Sequence, residues 1–465
     1  MDPAEREIHL VHLGIGAFHR AHQAYYTERC GEWGICGVTE RSEDVRRQLG
    51  PQDGLYTLTQ RSSSAASVVV IGAVREVLFA RHDPLAVVAR IADPRVHTVT
   101  VTVTEKGYRY DPVSGRLHAG DAEIAADLAG RPPLTVVGQI AAGIASRAAA
   151  GAPPLTVISC DNIPANGALL SGLVSDFLLR AHPGGAAEWL AGNVSFPSTM
   201  VDRIVPATTD ADRERVAAEL GLRDEGAVVA EPFTEWVIED AFAGERPAWE
   251  RAGATLTSDV GPYEQLKLRM LNGTHSALAY LGGLAGHLTI AEAVADPGLS
   301  AYARQLMSQD IEPSLTPPNE VDLGQYREIV LGRFANTAVR HSVRQVAIDG
   351  SHKLPLRLLG TIRDRRAAGG QPVLAALAVA AWMRHVLSGR DELGRPFRPD
   401  DPMLPTIRAR IPMGSTASTA VDGLLAISAI FGELGDDAWL RRTLAEQLAD
   451  LTVHRTRDVI RSLLR

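Results

Sequence analysis

The sequence predicts an α/β N-terminal domain followed by a mostly α-helical C-terminal domain, and two observations carry that expectation. Short apolar or β-branched runs alternate with helical patterns as far as about residue 255, the mark of a wound, mostly parallel sheet. Beyond that point strand signals thin out and leucine- and alanine-rich stretches take over. The chain has 465 residues, 45% of them hydrophobic, enough to bury substantial cores. The expected division is 1–255 and 256–465.

The first element is a strand, Ile8 to Leu13, which runs straight into Gly14-Ile15-Gly16-Ala17-Phe18 and a helix. In such a loop the first glycine permits a tight turn and the second lets an anion approach the backbone. The helix that follows offers free N–H groups, so Gly14, Gly16, Ala17 and Phe18 are candidates for holding a dinucleotide pyrophosphate. The third glycine of the usual fingerprint is missing. Phe18 to Ala21 occupy that stretch, so helix and strand must pack differently. The next strand, Ile35 to Thr39, ends in Glu40, about where an acid grips the adenosine ribose hydroxyls. An ordinary strand-end charge explains Glu40 equally well. As a ribose ligand it favours NAD, while Arg41 beside it keeps NADP possible through a 2′-phosphate.

Ser67 to Ile71 reads as a strand, Leu85 to Ile91 as a helix, and Val96 to Thr104 as almost pure β-branched strand. The last opens onto Glu105-Lys106-Gly107-Tyr108. A further strand, Leu155 to Ser159, opens onto Cys160-Asp161-Asn162-Ile163-Pro164-Ala165-Asn166-Gly167. Ligands of open sheets bind beyond the carboxyl ends of strands, although Asp-Asn and Asn-Gly also suit plain turns. In the second half, helical patterns cover 276–293, 339–347, 354–362, 372–388, 420–433 and 438–464. Pro313 to Asn319 and Gly394 to Pro405 read as connectors.

Composition excludes several classes. With 47 Lys and Arg against 55 Asp and Glu, the net charge is −8, and no basic stripe is present to track phosphates, so no nucleic-acid partner is expected. The first residues, MDPAEREIHLVHLG, lack the cationic and apolar regions of a secretion signal. No apolar run reaches the roughly 18 residues of a membrane helix, since the alanine-rich stretch from Pro372 is broken by Arg384 and His385. A cytoplasmic protein with no membrane partner is expected. Cys30, Cys36 and Cys160 form no metal-ligand spacing, so no metal is expected and the chemistry falls to side chains and an organic cofactor.

Residues 263–284, YEQLKLRMLNGTHSALAYLGGL, set polar groups into an otherwise apolar helix. At about 100° per residue from Lys267, Glu264 falls at about 60°, His275 at about 80° and Asn272 at about 140°, so four hydrogen-bonding side chains share one broad face. A solvated helix face is the plain alternative. The surrounding leucines and alanines argue for a buried reaction centre, because buried polar groups are costly without partners.

Six ordered motifs then carry a resemblance: LGIGAFHRAHQAYY (13–26), TVTEKGY (102–108), SCDNIPANG (159–167), FPSTMVDRIVP (196–206), EPFTEWVIED (231–240) and KLRMLNGTHSALAYLG (267–282). Together they closely resemble the mannitol dehydrogenase family of polyol-specific long-chain dehydrogenases. The resemblance implies a Rossmann-type N-terminal domain and a helical C-terminal domain like that of 6-phosphogluconate dehydrogenase. It also implies metal-independent, NAD(P)-dependent interconversion of a polyol and its ketose. Carried over, Lys267 resembles the general base and acid, Asn272 an oxyanion-stabilising amide and His275 a substrate-orienting group. Asn162 matches the second oxyanion donor, with Asn166 the alternative if the register slips. Glu105 and Glu264 match carboxylates of a proton path, and Glu264 equally suits an ion pair with Lys267. Asp202 matches a position near substrate and cofactor, or else a structural partner for Arg203. Lys353, in DGSHKLP, matches a substrate-contacting lysine. Arg344 matches a polyol-binding arginine, with Arg340 competing. A lysine base must be brought from about 10.4 toward roughly 7–8 to work near neutrality.

The implied activity is interconversion of D-mannitol, or a close relative, with its ketose, by a monomer or homodimer. The alternative within the family is a hexuronate reductase acting on fructuronate to give mannonate, whose carboxylate needs an extra cation. An inactive nucleotide-binding sensor is the alternative of another class.

Overall fold

The computed structural model describes residues 6–111, 114–182, 184–339, 341–412 and 414–465. The chain forms two compact units, Met1–Gly261 and Pro262–Arg465. The division falls a few residues after 255 because Thr255–Thr257 still pairs with Glu235–Glu239 of the first unit.

The first unit is built on six parallel strands: β1 (Ile8–Leu13), β2 (Gly34–Thr39), β3 (Val74–Phe79), β4 (Thr98–Val101), β5 (Leu155–Ser159) and β6 (Val194–Ser195). Their order in the sheet is β3-β2-β1-β4-β5-β6. This doubly wound order reverses between β1 and β4, and ligands of such sheets bind at that switch point. The fold is therefore the expected Rossmann-type sheet. The central strands β1, β2, β4 and β5 are largely buried on both faces, which is why they read as unbroken apolar or β-branched runs.

Two strand expectations need correction. The Ser67–Ile71 segment is extended (Ala66–Ile71) but pairs antiparallel with Tyr56–Arg61 in a separate three-stranded sheet completed by Val228–Ala230. The third strand of the main sheet is instead β3. The run Val96–Thr104 pairs only over Thr98–Val101, because Thr102 N–H donates to Leu13 and the next two amides turn to the carboxylate of Asp161. Around the sheet pack α1 (Ala17–Ala21), α2 (Gln23–Cys30), α3 (Pro84–Ala92), α4 (Val136–Ala150) and α5 (Asn166–Ala181).

The second unit is helical, with α6 (Thr274–Leu284), α7 (Val373–Ser388) and α8 (Ala438–Val453) at its core. From Leu374 to Met383 every residue of α7 is buried, so it is a core helix. Among the described residues no single helix is long and apolar enough to cross a membrane. The predicted stretch 276–293 is two helices, because Gly286 turns the chain at φ 93° and Thr289 and Glu292 restart it with a reciprocal capping box. The stretch 438–464 likewise breaks at His454 and Arg455. Pro297–Gln305, Leu323–Phe334 and Leu404–Arg410 are helices whose sequence signals are weak.

Candidate active site

The loop after β1 is governed by close approach. Gly14 has φ 95°, and a Cβ there would lie 2.0 Å from the carbonyl oxygen of Thr102, so only glycine fits. Its N–H and that of Ile15 both donate to Val38 O, locking the loop to β2. Gly16 is different. A Cβ there would meet nothing nearer than 3.9 Å, so the absent side chain leaves room for a ligand and no protein atom fills it. Where the usual third glycine would stand, His19 is wholly buried and stacks on His12 of β1 with centroids 3.4 Å apart. That imidazole pair is how helix and strand pack without the glycine. Burial keeps both rings neutral, His12 held down to about 3 and His19 well below its ordinary value.

A cleft of about 320 Å³ opens over this loop, lined by Gly14, Gly16, Thr39, Glu40, Arg41 and Thr104 among others. At its floor Glu40 receives one hydrogen bond, from Gln139 Nε2 at 3.2 Å, while its other carboxylate oxygen is buried without a partner. Burial pushes the carboxyl up to about 7, against the weaker opposing effects of Gln139, Arg81 and Arg41. An orphaned buried acceptor costs roughly 1–3 kcal/mol, which a pair of ribose hydroxyls would relieve. Arg41 is exposed at the rim. The open approach at Gly16 and this acceptor together fit a dinucleotide. Ala17 and Phe18 begin α1, with Phe18 stacked on His22.

At the carboxyl ends of β4 and β5, Asp161 organises the backbone. One oxygen accepts from Val103 N–H (2.9 Å) and Tyr108 Oη (2.8 Å), the other from Thr104 N–H (2.8 Å). Thr104 sits at φ 65°, ψ 162°, a region nearly reserved for glycine and costing about 1–3 kcal/mol. Each charge-assisted bond contributes about 1.5–3 kcal/mol, so the clamp outweighs the strain. Asn162, next along the chain, is exposed. The amide of Asn166 is spent, donating to the carbonyls of Asp161 and Thr199 and accepting from Thr199 N–H, so Asn166 drops out as an oxyanion donor. Glu105 is exposed and accepts from Tyr110 Oη at 2.9 Å. Asp202 is buried at the end of strand Thr199–Asp202, while Arg203 spends its guanidinium on the carbonyls of Ala21 and Glu231.

In the second unit the polar helix is not a continuous α-helix. Gly261–Leu266 is α-helical, Lys267–Gly273 is π-helical, and α6 follows. This corrects the wheel. A π turn bonds i to i+5 and takes up an extra residue, so Lys267 and Asn272, five apart, come one turn above the other instead of about 140° around the axis. Two groups brace the segment. Arg269 donates to Ser314 O (2.7 Å), Ser314 Oγ (3.0 Å) and Asp364 (2.5 Å), and Gly273 presses against a second π-helical turn, Pro355–Leu359. Lys267 and His275 are buried, and Glu264 and Asn272 are half-buried. Asn272's amide has no protein partner among the described residues.

His275 stacks on Phe334 (5.0 Å) and leans on His341 (4.7 Å), and its Nε2 is buried without a hydrogen bond. Burial first, then the neighbouring His341, Arg357, Arg333 and Lys353, hold it well below its ordinary value, so it is neutral. Lys353 donates to Ile348 O at 2.5 Å. Burial and the adjacent Arg357 bring it down to about 8. Arg344 is exposed on the short helix Val343–Ala347, beside His385 and not among the groups around His275. Its competitor Arg340 lies outside the described residues. Sequence reading overlooked Asp161, Gln139 and Arg357. The signal for Arg357 was available, since a charge inside the apolar run LPLRLL is the same anomaly that exposed Lys267.

Comparison with known proteins accounts for both units. The mannitol dehydrogenase Rossmann domain matches residues 8–251, and the mannitol dehydrogenase C-terminal domain matches residues 259–452. The oxidoreductase YdfI of Escherichia coli (strain K12) is 42% identical over 96% of this chain and 93% of its own length. The D-mannonate oxidoreductase of the same organism is 40% identical over 93% and 90%. The solved structure of Pseudomonas fluorescens mannitol 2-dehydrogenase, a ternary complex with NAD and D-mannitol, superimposes with a TM-score of 0.88 at 38% identity, covering 100% of this chain and 96% of that one. With both family models and near-full-length relatives in agreement, the chain belongs to the mannitol dehydrogenase family of oxidoreductases.

Proposed function

We propose that the chain interconverts a secondary alcohol on an open-chain, polyhydroxylated substrate with the corresponding ketone, using NAD. The observation that carries this reading is the buried amine of Lys267 on a π turn that brings Asn272 to its side, with neutral His275 one turn further on. A relative named for D-mannonate and a solved neighbour holding NAD and D-mannitol support the substrate class and the cofactor. When bound, the dinucleotide supplies the acceptor for the hydride; Gly14 and Gly16 would hold its pyrophosphate and Glu40 its ribose.

In this reading Lys267 takes the hydroxyl proton as the C–H bond breaks, and returns it in the reverse direction. Asn272 and Asn162 are assigned as N–H donors to the oxygen as it gains charge, a role in which amides stabilise the developing alkoxide. Neutral His275 can donate to or accept from a substrate hydroxyl, which orients the chain. Glu105 and Glu264 are assigned to the proton's route to solvent, Asp202 to a position near substrate and cofactor, and Lys353 to the substrate. These groups act on the alcohol in the same way whether the far end of the substrate is a hydroxymethyl, as in D-mannitol, or a carboxylate.

Lys267→Ala tests the reading. Turnover is expected to fall by about 10²–10⁴-fold while NADH binding, followed by fluorescence, stays within about twofold. Retained turnover would remove Lys267 from the role. For the cofactor, Glu40→Ala is expected to weaken NAD more than NADP, and equal losses count against a ribose contact.

A further inference from the structure

Among the described residues, Arg357 is a charge without an acidic partner. It lies in the π-helical turn Pro355–Leu359, whose backbone is pressed so tightly on the Lys267–Gly273 segment that a Cβ on Gly273 would come 2.7 Å from the carbonyl oxygen of Arg357. This packing delivers the guanidinium to α6, where Nη1 donates to Ser276 Oγ at 3.0 Å, one residue beyond His275. The remaining donors of the fork have no protein acceptor among the described residues, and no carboxylate lies within ion-pair distance. Lys353 is close enough that each of the two cations disfavours the charge of its neighbours.

The nearby acids do not neutralise this pair. Asp401 already accepts from the backbone N–H groups of Ser351 (2.8 Å) and Met403 (3.0 Å) and from the indole of Trp382 (3.4 Å). Asp349 faces Lys353 and acts on it more weakly than Arg357 does. A purely structural role for Arg357 is a poor use of a guanidinium, since one neutral donor would satisfy Ser276 and a largely buried unpaired charge is costly. A neutral polyol gives such a cation only hydroxyls. A carboxylate gives it a planar, bidentate partner matched to the fork.

We propose that Arg357, seconded by Lys353, is the carboxylate-recognising end of the substrate site, so that the substrate is an acyclic sugar acid and its keto form, not a neutral hexitol. This rests on the dehydrogenase reading above. The reaction keeps its balance: the secondary alcohol loses a hydride and a proton to become the ketone, NAD becomes NADH, and the carboxylate is unchanged.

The experiment compares three substrate pairs that differ only in a carboxylate against a hydroxymethyl at one end: D-mannonate with D-mannitol, D-gluconate with D-glucitol, and D-altronate with D-altritol. For the best pair, kcat/KM with NAD is expected to favour the acid at least tenfold. In Arg357→Met that preference should fall at least tenfold, mainly through KM of the acid, and Arg357→Lys should recover part of it. A hexitol used as well as its acid, or an unchanged preference in Arg357→Met, overturns the inference and leaves the dehydrogenase reading standing. Undiminished turnover of the acid by Lys267→Ala would instead sink the assignment of the base without touching the preference for a carboxylate. Turnover of none of the six overturns both.

Discussion

The glycine loop of the first unit and the π-helical segment of the second use backbone in opposite ways. In the loop the working surface is the backbone itself, and residues matter for the side chains they lack. Gly14 is compressed against Thr102, and Gly16 stands open. In the π segment the backbone is wound wider, which sets residues five apart, Lys267 and Asn272, about one turn above each other. The difference predicts different failures. Changes in the loop should cost folding or cofactor binding, and changes around the π segment should cost turnover.

The largest effect is expected at Gly14. Gly14→Ala places a Cβ 2.0 Å from Thr102 O at φ 95°, combining a clash with left-handed strain. A loss of more than about 4 kcal/mol follows, lowering the thermal transition by about 10 °C or more and abolishing NADH binding. Gly16→Ala sharpens the contrast. Its φ is −83° and its surroundings are open, so the fold should melt within about 2 °C of the parent while NADH binding weakens about tenfold. NADH binding to Gly16→Ala that matches the parent would place the pyrophosphate elsewhere.

Asp161→Asn comes next. The amide can replace at most part of the carboxylate's three bonds, and the strained Thr104 loses its restraint. About 2–4 kcal/mol of stability should go. Because Asn162 follows directly, kcat should fall about tenfold or more, read at saturating substrate beside a melting curve. Full kcat with lowered stability would make Asp161 a structural residue only.

These residues also mark how far the sequence was legible. The strands β1, β2 and β5 and the loop between β1 and α1 could be read because fully buried parallel strands and glycine turns write themselves into local composition. The end of β4 could not. The run VHTVTVTVT remains β-branched to Thr104, and only a carboxylate 58 residues further on diverts the amide of Val103. The strand β3 was missed because VREVLF carries charges at an edge position, where one side is open. In the second unit the polar face was visible, but its geometry was drawn for an α-helix. A π turn is stabilised by tertiary packing, here Arg269 and the contact of Gly273 with Arg357, which no local pattern announces. Arg344 and Arg357 show the same limit, since either was a candidate cation by composition and only burial separates them.

Gly273→Ala tests the π segment directly. The added methyl, 2.7 Å from Arg357 O, must push the two π turns apart at a cost of about 1–3 kcal/mol. Turnover is expected to drop about tenfold while NADH affinity is unchanged. If turnover survives with only the stability loss, the wide turn is not what aligns Lys267 with Asn272.

The smallest expected effect concerns Glu40 and carries a sign. Burial sets its carboxyl at about 7 in the free protein, so below that pH it is mostly neutral and its buried oxygen is a weaker acceptor. Ribose hydroxyls favour the carboxylate, so binding strengthens as pH rises, with NADH affinity about tenfold weaker at pH 6 than at pH 8. Glu40→Gln cannot titrate and should show a flat profile over the same range. Stability moves the other way. A carboxyl whose folded value is raised contributes most below its unfolded value of about 4.5, and that contribution is lost as pH climbs through about 7, so Glu40→Gln should gain on the parent at pH 8. A parent profile that is already flat between pH 6 and 8 would show that the cofactor does not depend on the charge of Glu40, and the first unit would then hold the dinucleotide by its glycine loop alone.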